Sequence, residues 1–414
     1  MKRILTFCIG TCLLFISCDE ANKPKQPGPA ASSTPGDYAS DRHFLLQHTQ
    51  IVELKLDNSR VLVAPQYQGR VMTSSCNSDS GYSFGWINYD LIASQKYKEH
   101  INPYGGEERL WLAPEGGQFS FFFKKGDPYD FDHWHTPAAF DTMLYNVVTK
   151  TDSNVLFSKD ISIANRLGTV FMIHIDRKIT LLNGAEVNNH LSLSMDSNLL
   201  AVAYKSENTI TNGGSFSWNR NTGAPAIWLL GMMKPSPNTT ILLPLNRDAS
   251  DSSVLVHDNY FGRIPEDRWK VVGSNAFLRA DGKFRGKVGI PPVHSTKYIG
   301  SYDPDHSVLT ILEAIWPEKT TDFVNSAWED QKLPFSGDAF NAYNDGPLKD
   351  GTQMGPFYEL ESLSPAAFLQ PGKSLTHTQI TYHLMGNAKT LDEISKHLLG
   401  VSLDEIENVF KSSR

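Results

Sequence analysis

Short stretches of β-branched and aromatic residues recur along this chain, and Gly, Pro, Asn or Asp falls at nearly every gap between them. They include IVELKLD, RVLVAP, QFSFFFKK, MLYNVVTKT, VLFSKDISIA, GTVFMIHIDRKITLL, HLSLSMDS, TILLPL, SVLTILEAIW and LTHTQITYHL. A period of two puts alternate side chains on opposite faces of a pleated strand, and turn residues at the gaps fold each strand back on the last. The pattern predicts an all-β fold, a large sandwich of antiparallel sheets packed face to face. GTVFMIHIDRKITLL alternates for long enough to form a central strand or a bent pair of strands, and QFSFFFKK reads as a core strand with Phe119, Phe121 and Phe123 on one face. Helix is expected only in a short C-terminal segment at about residues 390–412. There LDEISKHLL presents Leu391, Ile394 and Leu398 on one face, and LDEIENVFK presents Leu403, Ile406 and Phe410.

The first residues read as a delivery signal rather than as part of the fold. Lys2 and Arg3 precede an apolar run from Ile4 to Ile16, and Ser17 stands directly before Cys18. LLFISC resembles a bacterial lipobox, which implies removal of residues 1–17, a lipid on the Cys18 thiol and a protein held at the cell envelope, periplasmic or on the outer membrane. Residues 18–40 are rich in Pro, Gly, Ser and Ala and are expected to form a flexible linker, leaving residues 41–414 as one folded domain. With Cys8 and Cys12 lost with the signal and Cys18 lipidated, only Cys76 remains, so no intrachain disulfide is expected. Formal net charge is −7, and loss of Lys2 and Arg3 makes it more negative. With no basic block, nucleic acid is not an expected partner, and neutral ligands fit better.

One stretch carries chemistry. In GPFYELESLSPAAFLQPGKSLTHTQITYHL, from Gly355 to Leu384, Glu359 and Glu361 share one face of a strand, with Leu360 on the other. Two carboxylates about 7 Å apart on one pleat disfavour double ionisation, so one of them should hold its proton more tightly than a free glutamate. That is a route to a base or acid suited to neutral pH. A solvated edge strand with two ordinary surface glutamates is the plain alternative.

Leu360-Glu361-Ser362, Pro365, Pro371-Gly372-Lys373-Ser374 and the strand Thr376 to Leu384 resemble, in order, the late motif of the galactose mutarotase-like superfamily, which includes the aldose 1-epimerases. VLVAPQYQGRVMTSS is similar to that family's opening strands, and NPYGGEERLWLAPEGGQFSFFF to its Gly-Gly substrate loop. NDGP, GPFYELESLSPA and GGEERLWLAPEGG resemble still more closely an uncharacterised group of bacterial mutarotase-like lipoproteins. The resemblance implies a β-supersandwich, a saccharide ligand, Glu361 as catalytic base and Arg70 near the sugar. Two departures stand out. Tyr104 occupies the position before the Gly-Gly pair where epimerases carry a histidine, and the second family histidine has only His190, in NNHLSLS, as a local counterpart.

Interconverting anomers needs a base for the anomeric hydroxyl and an acid for the ring oxygen. Glu361 fits the first role; His190, His133 and His135 are the candidates for the second. In DFDHWHTP an extended backbone would point His133 and His135 the same way, a geometry that also suits a metal. Two ligands without a third do not define a site, so no metal or cofactor is expected, and a loop pair around a core tryptophan is the simpler reading. Glu107, Glu108 and Arg109 form a charge cluster beside Trp111 that, with Glu359, suits hydroxyl binding and ring stacking; Arg109 pairing with Glu107 or Glu115 to order the loop is the plain alternative. Asp345, in a turn sequence, could reach the same ligand. Trp86, Tyr89, Trp134 and Trp218 are candidates to extend an aromatic platform, with a place in the core the plain alternative for each tryptophan. Two functions follow: an anchored isomerase of epimerase type, or a non-catalytic glycan-binding lipoprotein of a saccharide-utilisation system.

Overall fold

Turn residues at the gaps and period-two alternation between them yield eighteen strands among the described residues, and every pairing within the two sheets is antiparallel. The computed structural model describes residues 36–192, 199–247, 254–317 and 320–411. In chain order the strands are β1 (Val52–Leu56), β2 (Ser59–Ala64), β3 (Arg70–Ser75), β4 (Gly106–Ala113), β5 (Asn146–Lys150), β6 (Asn154–Ala164), β7 (Val170–Leu181), β8 (Leu200–Asn212) and β9 (Ala226–Met232). They continue with β10 (Thr240–Pro244), β11 (Trp269–Val272), β12 (Asn275–Arg279), β13 (Gly286–Ile290), β14 (Tyr298–Asp303), β15 (Val308–Ile315), β16 (Phe340–Asn344), β17 (Tyr358–Leu363) and β18 (Ser374–Met385). An eight-stranded sheet runs β1-β2-β3-β4-β9-β17-β16-β13, and a ten-stranded sheet runs β11-β12-β10-β14-β15-β18-β8-β7-β6-β5.

The sheets bury their facing sides against each other. Val288, Ala342 and Leu360 of the first meet Ile241, Leu243, Ile299 and Leu312 of the second in one apolar cluster. Leu110 and Leu112 meet Phe157, Ile175 and Ile210 in another. Each such side chain contributes roughly 1.5–3 kcal/mol by leaving water. A polar seam crosses this interior. Glu108 accepts from Arg177 Nη2 at 2.8 Å, from Ser206 Oγ at 3.0 Å and from Gln379 Nε2 at 2.7 Å, tying β4 to β7, β8 and β18.

Among the described residues five α-helices accompany the sheets: α1 (Tyr38–His48), α2 (Tyr89–Ser94), α3 (Gly184–Leu191), α4 (Ala388–Leu399) and α5 (Leu403–Asn408). The C-terminal pair falls where the 3.6-residue period predicts it. α3, α4 and α5 bury Val187, Leu191, Leu391, Ile394, Leu403 and Ile406 on the outer face of the ten-stranded sheet, against Ala203, Leu309, Ile380 and Tyr382. Among the described residues no helix is long and apolar enough to cross a membrane.

Several expectations need correction. Helix is not confined to the C-terminus. The linker does not run to residue 40, because Asp37 caps α1 by accepting from Ser40 N, and Tyr38 is buried. QFSFFFKK is core but not strand: Phe119, Phe121 and Phe123 are buried in irregular backbone whose aromatic rings fill space instead of joining a ladder. His190 lies not on a strand but in the last turn of α3, whose start is fixed by a capping box between Asn183 and Glu186. Residues 1–17, Cys18 and most of the linker lie outside the described residues, as do residues 193–198 of HLSLSMDS.

Glu108→Ala leaves the Arg177 guanidinium without its carboxylate in an interior that excludes water. The expected loss is about 3–5 kcal/mol of unfolding free energy, read as a lowered urea midpoint; a loss below about 1 kcal/mol would mean the seam carries little of the sheet-to-sheet stability.

Candidate functional site

Glu359 and Glu361 alternate with Tyr358, Leu360 and Ser362 along β17, and the second set points between the sheets: Tyr358 hydroxyl bonds Ser301 Oγ, and Ser362 Oγ bonds Gln379. The two glutamates therefore face the opposite way, onto the outer face of the eight-stranded sheet. Cross-strand register collects their neighbours. Glu361 lies opposite Leu230 of β9 and Asn341 of β16, Leu230 lies opposite Arg109 of β4, and Asn341 lies opposite Gly289 of β13. One position along, Glu359 lies opposite Tyr343, which lies opposite Lys287. Paired residues of antiparallel strands share a face with Cβ atoms about 4.5–5.5 Å apart, so this face is a continuous patch.

The patch is built from opposed charges. Glu361 is fully buried; its Oε2 accepts from Trp228 Nε1 at 2.8 Å and from Lys287 Nζ at 3.3 Å. Its Oε1, equally buried, has no hydrogen-bond partner. Glu359 Oε1 lies 3.0 Å from Arg109 Nη1, an ion pair by distance in which neither atom completes a hydrogen bond. Burial lifts the Glu359 carboxyl to about 7; Arg109 opposes the rise and repulsion from Glu361 adds to it. One of the two glutamates thus holds its proton tightly, as their spacing predicts, but dehydration outweighs the like charge. Burial acts to lower the Lys287 ammonium, and the carboxylates of Glu361, Glu115 and Glu359 outweigh it and raise the pKa. Glu115 is raised by burial, with Lys287 opposing and Glu361 adding.

Loops roof this floor. Above it lies a cavity of about 830 Å³, lined in part by Glu99, His100, His257, Tyr260, Arg285, Lys287 and Trp328. A chamber of about 80 Å³ beneath reaches Arg109, Trp111, Trp228, Tyr343, Glu359 and Glu361, and shares Glu115, Lys287, Phe131 and Trp328 with the cavity. The volume falls in the range of small-molecule sites. At one wall, His257 Nδ1 lies 2.8 Å from Asp338 Oδ1, while Asp338 Oδ2 accepts from Tyr260 hydroxyl and, at 3.2 Å, from Asn341 Nδ2. Asp338 fits because position 289 is glycine: a Cβ there would stand 1.9 Å from Asp338 Oδ2. The hydrogen bond to Asp338 raises the His257 pKa against the opposing effect of burial.

The sequence-predicted residues divide. Glu361, Glu359, Arg109 and Trp111 meet in the inner chamber, and Trp134 joins them. Asp345 borders the outer cavity, but its carboxylate accepts from Tyr343 hydroxyl at 2.6 Å and from Gly355 N at 3.1 Å, so much of its capacity orders the turn. Glu107 does not reach the cavity. A register shift between Gly106 and Arg109 turns Glu107 inward with Glu108, where it accepts from Ser74 Oγ at 2.9 Å and pairs with His383 Nε2 at 3.0 Å. Arg70 is buried beneath Tyr104 and donates to Gly105 O at 2.9 Å, away from the cavity lining; burial lowers its pKa to about 10. Gly105 and Gly106 both take positive φ, and the chain passes so close to Trp86 O that a Cβ on Gly105 would lie 2.0 Å away.

The histidine expectations also change. His190 sits exposed on the helical side of the ten-stranded sheet, opposite the site, so the acid role assigned to it fails on position. His133 and His135 do not point together, because Phe131–His133 is a tight helical turn. His133 pairs with Asp130 at 2.5 Å, His135 faces Glu99 at 3.9 Å, and neither lines the cavity. Tyr104 stacks on Tyr67 at 4.0 Å. Trp218 is core, and Trp86 packs on Phe357. Residues missed in the sequence are Lys287, Trp228, His257, Tyr260 and Asp338. Only the alternation in GKVGI, which sets Lys287 and Gly289 on one face, hinted at any of them.

The chain belongs to a family of unknown function, DUF6786, whose model matches residues 36–410. Among the curated proteins, none matches it. Solved structures similar to it include a galactose mutarotase-like protein from Lactobacillus casei, at 13% identity and TM-score 0.46, covering 82% of this chain and 100% of that one. An aldose epimerase homologue from C. elegans gives 11% identity and TM-score 0.44, over 82% and 99% of the two chains. A galactose mutarotase related enzyme from Lactobacillus acidophilus gives 8% and 0.43, over 81% and 97%.

The Glu359 carboxyl predicts a pH dependence. Its folded-state value lies above the ordinary 4.5, so the native protein keeps a proton that the unfolded chain releases. That contribution is full below about pH 4.5 and is lost as pH rises through about 7. Urea unfolding free energy is expected to fall by about 1–3 kcal/mol more in wild type than in Glu359→Gln between about pH 5 and pH 8. Parallel profiles for the two proteins would show that Glu359 is ionised throughout.

Proposed function

We propose that this chain binds a saccharide in the cavity above β17 and moves protons on it in the manner of an aldose epimerase. The observation that carries the reading is Glu361 Oε1, a buried carboxylate oxygen with no protein partner in a chamber walled by Trp111, Trp134, Trp228 and Trp328. An unpaired buried oxygen is costly, and a ligand hydroxyl donating to it would remove the cost. Indole faces suit the apolar C–H face of a pyranose, while Arg109, Lys287 and Arg285 supply donors to its hydroxyls. The order of motifs around Leu360-Glu361-Ser362 and Pro371-Gly372, similar to that of the mutarotase-like family, supports the same reading.

In this mechanism Glu361 Oε1 takes the proton of the anomeric hydroxyl, the bond from the anomeric carbon to the ring oxygen breaks, and the ring oxygen takes a proton from an acid. His257 is suited to that role. Asp338 holds Nδ1 and shifts the balance toward the imidazolium, leaving Nε2 to donate. After rotation about the exposed aldehyde, the proton transfers reverse and close the ring as the other anomer. Lys287 and Trp228 hold Glu361 in place through Oε2.

The same two contacts favour a second reading. A carboxylate already neutralised by an ammonium is a weak base, which suits a glycan-binding protein without turnover. The export signal and LLFISC support delivery to the cell envelope on a lipid anchor in either case.

Anomer interconversion of several aldoses, followed by NMR, separates the readings. Wild type is expected to exceed buffer, with Glu361→Gln and His257→Asn each slower by about 10²–10⁴-fold. Saccharide binding by wild type with interconversion no faster than buffer would select the binding reading, and absence of both would remove the saccharide.

A further inference from the structure

Glu99 and His100, adjacent in KEHINP, meet His135 at the rim of the cavity, and candidate ligand atoms of the three lie within 4.8 Å of one another. Backbone pairing brings the segments together, with Thr136 N donating to His100 O at 2.8 Å and His135 N to Phe122 O at 3.0 Å. The ring nitrogens carry the argument. His100 Nδ1 lies 2.8 Å from Trp134 O, and His135 Nδ1 lies 3.2 Å from His133 O. A carbonyl oxygen only accepts, so each Nδ1 bears the hydrogen, and in each neutral ring the lone pair is on Nε2. Backbone carbonyls orient metal-binding imidazoles in this way, fixing the tautomer and aiming the free nitrogen. The rings stand 4.7 Å apart between centroids, and Glu99 Oε1 lies 3.9 Å from His135 Nε2.

We propose that Glu99, His100 and His135 bind a divalent transition ion of the zinc class, with a further coordination position open toward the cavity. Two imidazoles and one carboxylate are a donor set for zinc and its neighbours, and three protein ligands leave room for a water or ligand oxygen. Tetrahedral bonds of about 2.0–2.1 Å bring ligand atoms closer than the 3.9 Å here. The exposed Glu99 side chain is free to close that gap. Phe131 packs on His100 at 4.6 Å and shields one side of the site. Of the two histidines in the DHWH stretch, His133 belongs to Asp130, and the partners of His135 come from Glu99-His100. The site does not depend on the saccharide reading.

Titrating the full chain, stripped with chelator, with Co²⁺ tests the proposal. Wild type is expected to develop the visible bands of a low-symmetry cobalt site, to shift them when azide enters the open position, and to compete Co²⁺ away with Zn²⁺. His100→Ala, His135→Gln and Glu99→Gln should each weaken binding by at least about tenfold, and His133→Ala should leave it unchanged. Thermal unfolding without metal is expected to match wild type in all four variants, since these side chains are partly exposed. Absence of the bands, or binding unaltered by His100→Ala and His135→Gln, would overturn the site, and bands indifferent to azide would overturn the open position.

Discussion

Most of the eight-stranded sheet is buried on both faces, and that constraint governs what it can carry. One side packs on the ten-stranded sheet and the other lies under the loops that roof the cavity, so β3, β4, β9, β13, β16 and β17 are buried throughout. An unpaired charge on such a strand would cost several kcal/mol. Glu361 with Lys287, Glu359 with Arg109, and Glu108 with Arg177 meet that requirement on the two faces. The register shift in β4 decides which charge goes where: it sends Glu107 and Glu108 inward and leaves Arg109 and Trp111 on the cavity side. A regular strand would have put Glu107 beside Arg109 and changed the charge of the floor.

The same constraint explains how much could be read in the sequence. The long alternation of Val170–Leu181 was legible because β7 has one face toward solvent, and polar and apolar residues follow each other along it. Glu359 and Glu361 were legible because two carboxylates in period two are conspicuous within an otherwise apolar strand. Arg109 and Trp111 were found with them; Glu107 was misplaced because a register shift leaves no local mark in GGEERL. FSFFF shows the limit of composition, since a run of phenylalanines fills a core equally well from irregular backbone. For α3 the signal existed: Asn183 and Glu186 have the spacing of a capping box, and the strand reading of HLSLS overrode it.

His257, Tyr260 and Asp338 were not legible, because the site they form is assembled across sequence. His257 is brought to β13 by a bridge to Gly289, and Asp338, two residues ahead of β16, occupies the space a side chain at position 289 would take. The second Gly pair works similarly. Gly116 and Gly117 let their loop press onto Ala327 and Gln331, holding the segment that carries Trp328 into the cavity wall. Loops of this kind are positioned by close backbone approach, which only the folded chain reveals.

Trp228 serves the inner chamber in two capacities. Its indole N–H holds Glu361 Oε2, and its ring lies 4.6 Å from the Lys287 ammonium. The emission of an indole responds to charge and hydrogen bonding at that range, and Trp111 stands edge-on to it at 5.6 Å, near enough for energy transfer. The floor of the chamber therefore contains its own fluorescent gauge, able to register a visitor to the carboxylate without any attached dye.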